Sequence, residues 1–170
     1  MTDDQGRRVG AMPAAASGPK LVHTVLSASN GATPRTVVTT QSGLSLVTDE
    51  PVTRGGEGTA PTPLETVIGA LLGCSSVTFE RAAKELTFSY TGIDFDASYT
   101  LDLRGLLGEA DVRPHFQAVA VEARVHTTEA HERLGEVVEL TERRCPVRNL
   151  LADAGIELSM RWGSEQSTSA

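Results

Sequence analysis

Only two of the 170 residues are cysteines, only 4% are aromatic, and tryptophan occurs once. Two cysteines are too few to staple a secreted scaffold, and a chain of this length buries enough surface to fold without disulfides or metals. Positive charge is also short. Fifteen Lys and Arg face 22 Asp and Glu, a net charge of -7. That balance argues against the clustered basic footprint that a phosphate backbone requires. No apolar run approaches the roughly 18 residues of a membrane span. The opening MTDDQGRRVGAMPAAASGPK lacks the continuous apolar segment of a secretory signal. The expectation is one cytoplasmic domain over residues 20–162, with a mobile leader (1–19), a flexible tail (163–170), and no nucleic-acid or membrane partner. In that compartment both thiols stay reduced, and a disulfide between them would be a working one.

What is present divides cleanly. LVHTVLSAS, RTVVTT and LSLVT are β-branched runs punctuated by Gly, Pro and Ser, which predicts a three-strand meander over 20–48. DEPVTRGGEGTAP follows as a loop. Its Gly-Gly pair is no phosphate cradle, because no Lys-Ser or Lys-Thr follows at the required spacing. A long helix begins at Pro63, with Thr62 as N-cap and Glu65 completing a capping box. Apolar residues then recur in steps of three and four from Leu64 to Leu86. Gly69 and Gly73 lie one above the other on this helix, where each costs up to about 1 kcal/mol relative to alanine. Such a stripe suggests the close approach of another backbone, for example the same helix of a second subunit.

Beyond it, IDFDASYTLDLR alternates, with Ile93, Phe95, Ala97, Tyr99, Leu101 and Leu103 on one face and Asp94, Asp96 and Asp102 on the other. A loop leads through Pro114 to a strand carrying Val119, Val121, Ala123 and Val125. A second helix from Thr128 reaches Cys145, Pro146 interrupts it, and Gly155 closes a short continuation. IELSMRW ends the fold as a strand. Strands grouped around two helices predict an α+β fold rather than alternating βαβ units.

Two residues carry candidate chemistry. Cys74 shares a helix face with Val67, Ala70 and Leu71, which by itself describes a buried core thiol. Cys145, just ahead of Pro146, stands at a helix N-cap beside Arg143, Arg144 and Arg148. Free amides, the helix dipole and cations all favour a thiolate there, unless the patch is simply a solvated helix end. Two thiols far apart in sequence fit a couple in which one becomes a sulfenic acid and the other condenses with it.

GGEGTAPTPLETVIGALLGC followed by RRCPVRNLL resembles the OsmC/Ohr family, of osmotically inducible protein C and organic hydroperoxide resistance protein, over about residues 20–162. The resemblance implies an antiparallel sheet packed on two long helices in an intertwined homodimer. It also implies thiol-dependent reduction of organic hydroperoxides in oxidative-stress defence, reset by an external thiol, with no metal or other cofactor. By the same resemblance Cys74 is the peroxidatic residue and Cys145 the resolving one, the reverse of the local electrostatic reading. Arg35, after the NGATP turn, matches the family's thiolate-stabilising arginine. Glu65 stands for the glutamate that holds that arginine, one position later than in the best-studied members, where this chain has Leu64. The Pro-Leu-Glu order is similar to the family's OsmC-like branch. On ideal helical geometry Glu65 and Cys74, nine residues apart, point to opposite sides.

Other constellations are weaker. His126 and His131 fall on a strand end and a helix start, without a Cys-x-x-Cys or His-Glu-x-x-His pattern, so no metal site is expected. Arg81, seven residues after Cys74, is an alternative cation. Ser75 and Ser76 have no identifiable base. Two readings stand: a cysteine peroxidase, and a dimeric binding or redox-sensing protein of the same fold.

Overall fold

The computed structural model describes residues 18–165, so most of the expected leader and the last five residues of the expected tail lie outside the described residues. The fold is α+β, built from two three-stranded sheets and two principal helices. Strands β1 (Leu26–Asn30), β2 (Thr36–Thr40) and β3 (Ser45–Thr48) form an antiparallel meander, with Val38 opposite both Ala28 and Leu46. The first strand starts later than expected, at Leu26, and Leu21, Val22 and Val25 before it are exposed. The meander's strands pack chiefly on one another, and Leu26, Leu44 and Leu46 remain exposed.

Helix α1 (Pro63–Glu85) begins as its sequence dictates. The Thr62 hydroxyl accepts from the Glu65 amide at 3.2 Å, and the Glu65 carboxylate accepts from the Thr62 amide at 2.7 Å. Two of the orphan donors of the first turn are thereby satisfied. The buried stripe runs Ile68, Leu71, Ser75, Thr78, Phe79, Ala82 and Ala83. It is rotated from the face anticipated around Cys74. Val67 is exposed, and Cys74 lies half-buried on the margin. A Cβ on Gly69 or Gly73 would meet nothing within 4 Å, so the close approach expected at that stripe is not made within one chain.

The second sheet comprises β4 (Gly92–Leu101), β5 (Phe116–His126) and β6 (Glu157–Glu165), in the order β4-β5-β6. The alternation of β5 holds, with Val119, Val121, Ala123 and Val125 all buried, and on β4 Ile93, Phe95, Tyr99 and Leu101 are half-buried while Ala97, expected on the same inward face, is exposed. Three further expectations change. The β4 strand stops at Leu101, because Asp102 accepts from the Arg104 amide and caps a short helix, α2 (Leu103–Leu107), so Leu103 leaves the strand. The β5–β6 pair is parallel, not antiparallel. The connection runs through α3 (His131–Arg144) and α4 (Pro146–Asp153), and a helical crossover permits the parallel return that a hairpin cannot make. Finally, β6 extends to Glu165, whose carbonyl accepts from Thr127, so Gly163, Ser164 and Glu165 belong to the sheet and not to the tail.

The loop ahead of α1 is organised by one residue whose role the sequence reading missed. Asp49, fully buried, accepts from the amides of Glu50, Glu57 and Thr59 and from the Thr59 hydroxyl. These bonds, the Thr59 amide foremost, hold its carboxyl below the ordinary carboxylate range. Its contribution is therefore intact above that range and lost only as pH falls through the depressed value. Gly56 completes the arrangement, since a Cβ there would lie 1.8 Å from the Glu50 carbonyl oxygen. Gly56→Ala must displace backbone. We expect it to raise the rate of limited proteolysis between residues 50 and 60 at neutral pH, whereas wild type becomes equally sensitive only in acid.

Candidate thiol site

Helices α1, α3 and α4 meet where the two cysteines lie. Cys145 links α3 to α4, with extended backbone (φ -71°, ψ 112°) and 0% exposure. Its amide donates to the Thr141 carbonyl, and its carbonyl accepts from Asn149. Its Sγ lies 3.7 Å from the hydroxyl oxygen of Ser75, itself fully buried on α1. The Cys74 thiol meets the Cys145 thiol from the same helix. Both thiols are free.

The electrostatics differ from the expectation. Cys145 occupies the N-cap position of α4, but its side chain makes no cap bond. The amide of Val147, in the first turn of α4, is directed at Cys74 instead. The Thr78 hydroxyl, which donates to the Cys74 carbonyl at 2.8 Å, adds a second favourable contact to that thiol. Burial outweighs both, and with the neighbouring Cys145 it pushes the Cys74 pKa up. The arginines expected around Cys145 are engaged elsewhere: Arg144 with Glu85 at 2.6 Å, Arg148 with Glu142 at 3.0 Å, and Arg143 with Glu139 at 3.9 Å.

Arg35 and Glu65 are not brought to this pair within the chain. Arg35 lines an open cleft of about 720 Å³ with Ser29, Asn30, Thr33, Glu57 and Thr59. Glu65 is held at the start of α1 by Thr62, with Arg54 nearby, and its carboxyl is lowered mainly by the Thr62 amide. Nine residues of helix put it about 13 Å along the axis from Cys74. Arg81 is exposed.

Elsewhere, Asp94, His126 and Glu165 bring one ligand atom each within 4.8 Å of one another on the open face of the second sheet. His126 Nε2 contacts Asp94 at 2.8 Å, while Arg124 lies 2.6 Å from Asp96 and 3.9 Å from Glu165. A guanidinium already shares the cluster, which reads as cross-strand ion pairing. Leu64, Tyr99, Leu101, Leu103, Leu106 and Leu107 line a separate apolar cleft of about 830 Å³, rimmed by Glu50 and Arg54. Among the described residues no helix is long and apolar enough to cross a membrane.

The family model described as OsmC-like protein matches residues 56–161. No curated protein matches the sequence. An OsmC-like protein from Mycoplasma pneumoniae superposes with a TM-score of 0.70 at 12% identity, over 85% of this chain and 97% of that one. An organic hydroperoxide resistance protein OsmC from Legionella pneumophila, also described as a predicted redox protein, gives 0.65 at 20%, over 85% and 99%. An OsmC-like protein of unknown function from Vibrio cholerae gives 0.67 at 11%, over 84% and 100%.

Proposed function

Because the chain belongs to the OsmC-like family, we propose that it defends against peroxides as a cysteine-based reductase of organic hydroperoxides, with Cys74 attacking and Cys145 resolving. The observation that carries this reading is the asymmetric thiol pair. Cys74 is half-buried and lies within reach of solvent, whereas Cys145 is fully buried and meets it from the junction of α3 and α4. A solute reaches the first thiol, and the second is placed to reach the first. The Legionella relative named for hydroperoxide resistance supports the choice of oxidant.

The chemistry follows from the pair. The Cys74 thiolate attacks one peroxide oxygen, the O–O bond breaks, and the alkoxide takes a proton and leaves as an alcohol. The Cys145 thiolate then attacks the resulting sulfenic sulfur, forming the disulfide as the S–O bond breaks and water departs. An external thiol resets the pair by exchange. No metal or other cofactor enters these steps.

The raised Cys74 pKa fits the want of a cation beside that thiol among the described residues. A homodimer supplies one in this reading. The meander carrying Arg35 packs chiefly on itself, exposes Leu44 and Leu46, and would cover a second copy, while Gly69 and Gly73 leave room for its α1. Glu65, committed to the capping box, acts here through the position of α1.

Mass spectrometry of the reduced protein after one equivalent of cumene hydroperoxide, with hydrogen peroxide in parallel, tests the reading. A rapid Cys74–Cys145 disulfide with the organic peroxide is expected. Thiols that stay intact on long exposure would instead favour a binding or redox-sensing protein, the reading to which the raised Cys74 pKa also lends weight.

A further inference from the structure

Serine and threonine hydroxyls inside helices usually bond back to the carbonyl four residues earlier. Thr66, Thr78 and Thr141 all do so here, to Thr62, Cys74 and Val137. Ser75 does not. It sits on the buried stripe of α1 at 1% exposure, and its hydroxyl reaches across to another helix, 3.7 Å from Cys145 Sγ. A buried hydroxyl needs a partner, and this one has a sulfur.

Cys145 has the complementary need. A thiolate, not a thiol, attacks in disulfide chemistry, and a fully buried anion without a donor is costly. The titratable group facing Cys145 from α1 is Cys74. On α3 and α4 the nearby cations Arg144 and Arg148 are ion-paired with Glu85 and Glu142. The α4 amide that is directed at a thiol serves Cys74. Arg148 keeps one buried donor, Nε, without a partner among the described residues, but the side-chain hydroxyl in contact with Cys145 Sγ is that of Ser75.

We propose that Ser75 is the positioning residue of the second thiol: its hydroxyl holds Cys145 Sγ against Cys74 and donates to the thiolate as that sulfur attacks. Ser75 thus governs closure of the disulfide and not the first oxidation of Cys74. The inference rests on the two thiols reacting with one another, and it does not require peroxide to be the oxidant.

A peroxide-free assay therefore tests it. Dithiodipyridine reacts with the accessible Cys74 to give a mixed disulfide and one equivalent of thiopyridone. Cys145 then attacks the Cys74 sulfur, the protein disulfide forms, and the second pyridinethiolate leaves with the electron pair and takes a proton. In Ser75→Ala we expect the first release to stay within about twofold of wild type and the second to slow about tenfold or more, the usual scale of a hydrogen bond to a charged group. Ser75→Thr, which keeps the hydroxyl, should restore the second rate. An unchanged second rate in the alanine variant would overturn the proposal, as would a wild type that releases only one equivalent. If cumene hydroperoxide leaves the thiols intact while Ser75→Ala still slows the second release, the peroxidase reading fails and the Ser75 assignment stands.

Discussion

Cys74→Ser is expected to abolish consumption of cumene hydroperoxide, and Cys145→Ser to stop the protein after a single oxidation. A serine hydroxyl in place of the attacking sulfur removes the nucleophile altogether, so the loss should exceed about a thousandfold. Removing Cys145 leaves the first step open and the sulfenic acid without its partner. Trapping with dimedone should then label Cys74 stoichiometrically, and turnover should fall while the first-step rate survives. The two variants differ because Cys74 is half-buried and Cys145 is enclosed. Equal first-step rates in wild type and Cys74→Ser, or dimedone labelling at Cys145, would reverse the assignment.

The pH dependence of that first step carries the role of Arg35. Burial raises the Cys74 pKa within one chain, so the thiolate fraction near neutrality is small and the rate climbs with pH up to the raised value. In the proposed homodimer a guanidinium brought by a second copy would act in the opposite direction and shift the profile to lower pH. Arg35→Ala should therefore displace the wild-type inflection upward and slow the neutral-pH rate. An identical profile in the two proteins would leave Arg35 to its cleft with Glu57 and Thr59.

How legible this was in the sequence depended on the range of each interaction. The start of α1 is written within four residues, Thr62 to Glu65, and it forms as read. The break at Pro146 is equally local. The parallel return of β6 was not legible, because no residue of Ile156 to Trp162 names its neighbour, and only the packing of α3 and α4 over the sheet decides it. Within the site, the sequence showed that Cys145 stands at a helix N-terminus but not which thiol the amides of that helix serve. Rotation about the α1 axis settles that, and it turns Cys74 toward the Val147 amide and Ser75 toward Cys145. Ser75 was passed over for want of a base, when its partner is a sulfur 70 residues away. Asp49 was hidden in the same way, as one acid in a polar loop whose Gly56 was the available clue.

Phe79→Ala is the substitution expected to cost the fold most. Phe79 has 0% exposure and lies one turn beyond Ser75 on the same stripe of α1. Its ring stacks on Trp162 of β6 at 5.4 Å and 12°, and meets Phe88 and Tyr90 edge-on at 6.1 and 5.1 Å. In a chain with so few aromatic residues, this ring joins the long helix, the last strand and the segment that follows α1. Truncating it removes the transfer energy of the ring and leaves a void, about 3–5 kcal/mol together. Against a usual total of about 5–15 kcal/mol that is a large fraction. At fixed protein concentration the midpoint of thermal unfolding should fall by roughly 6–20 °C. Trp162 is the sole tryptophan and reports on the same cluster, so its fluorescence should shift to the red as the stacking partner is lost. Phe79→Leu, which refills most of the volume, should recover much of the midpoint. A loss below about 1 kcal/mol in the alanine variant would mean that β6 does not depend on this contact. The cluster also bears on the chemistry, because the turn of α1 that it anchors presents Ser75 to Cys145. Partial loosening short of unfolding should therefore slow disulfide closure before it slows attack by Cys74.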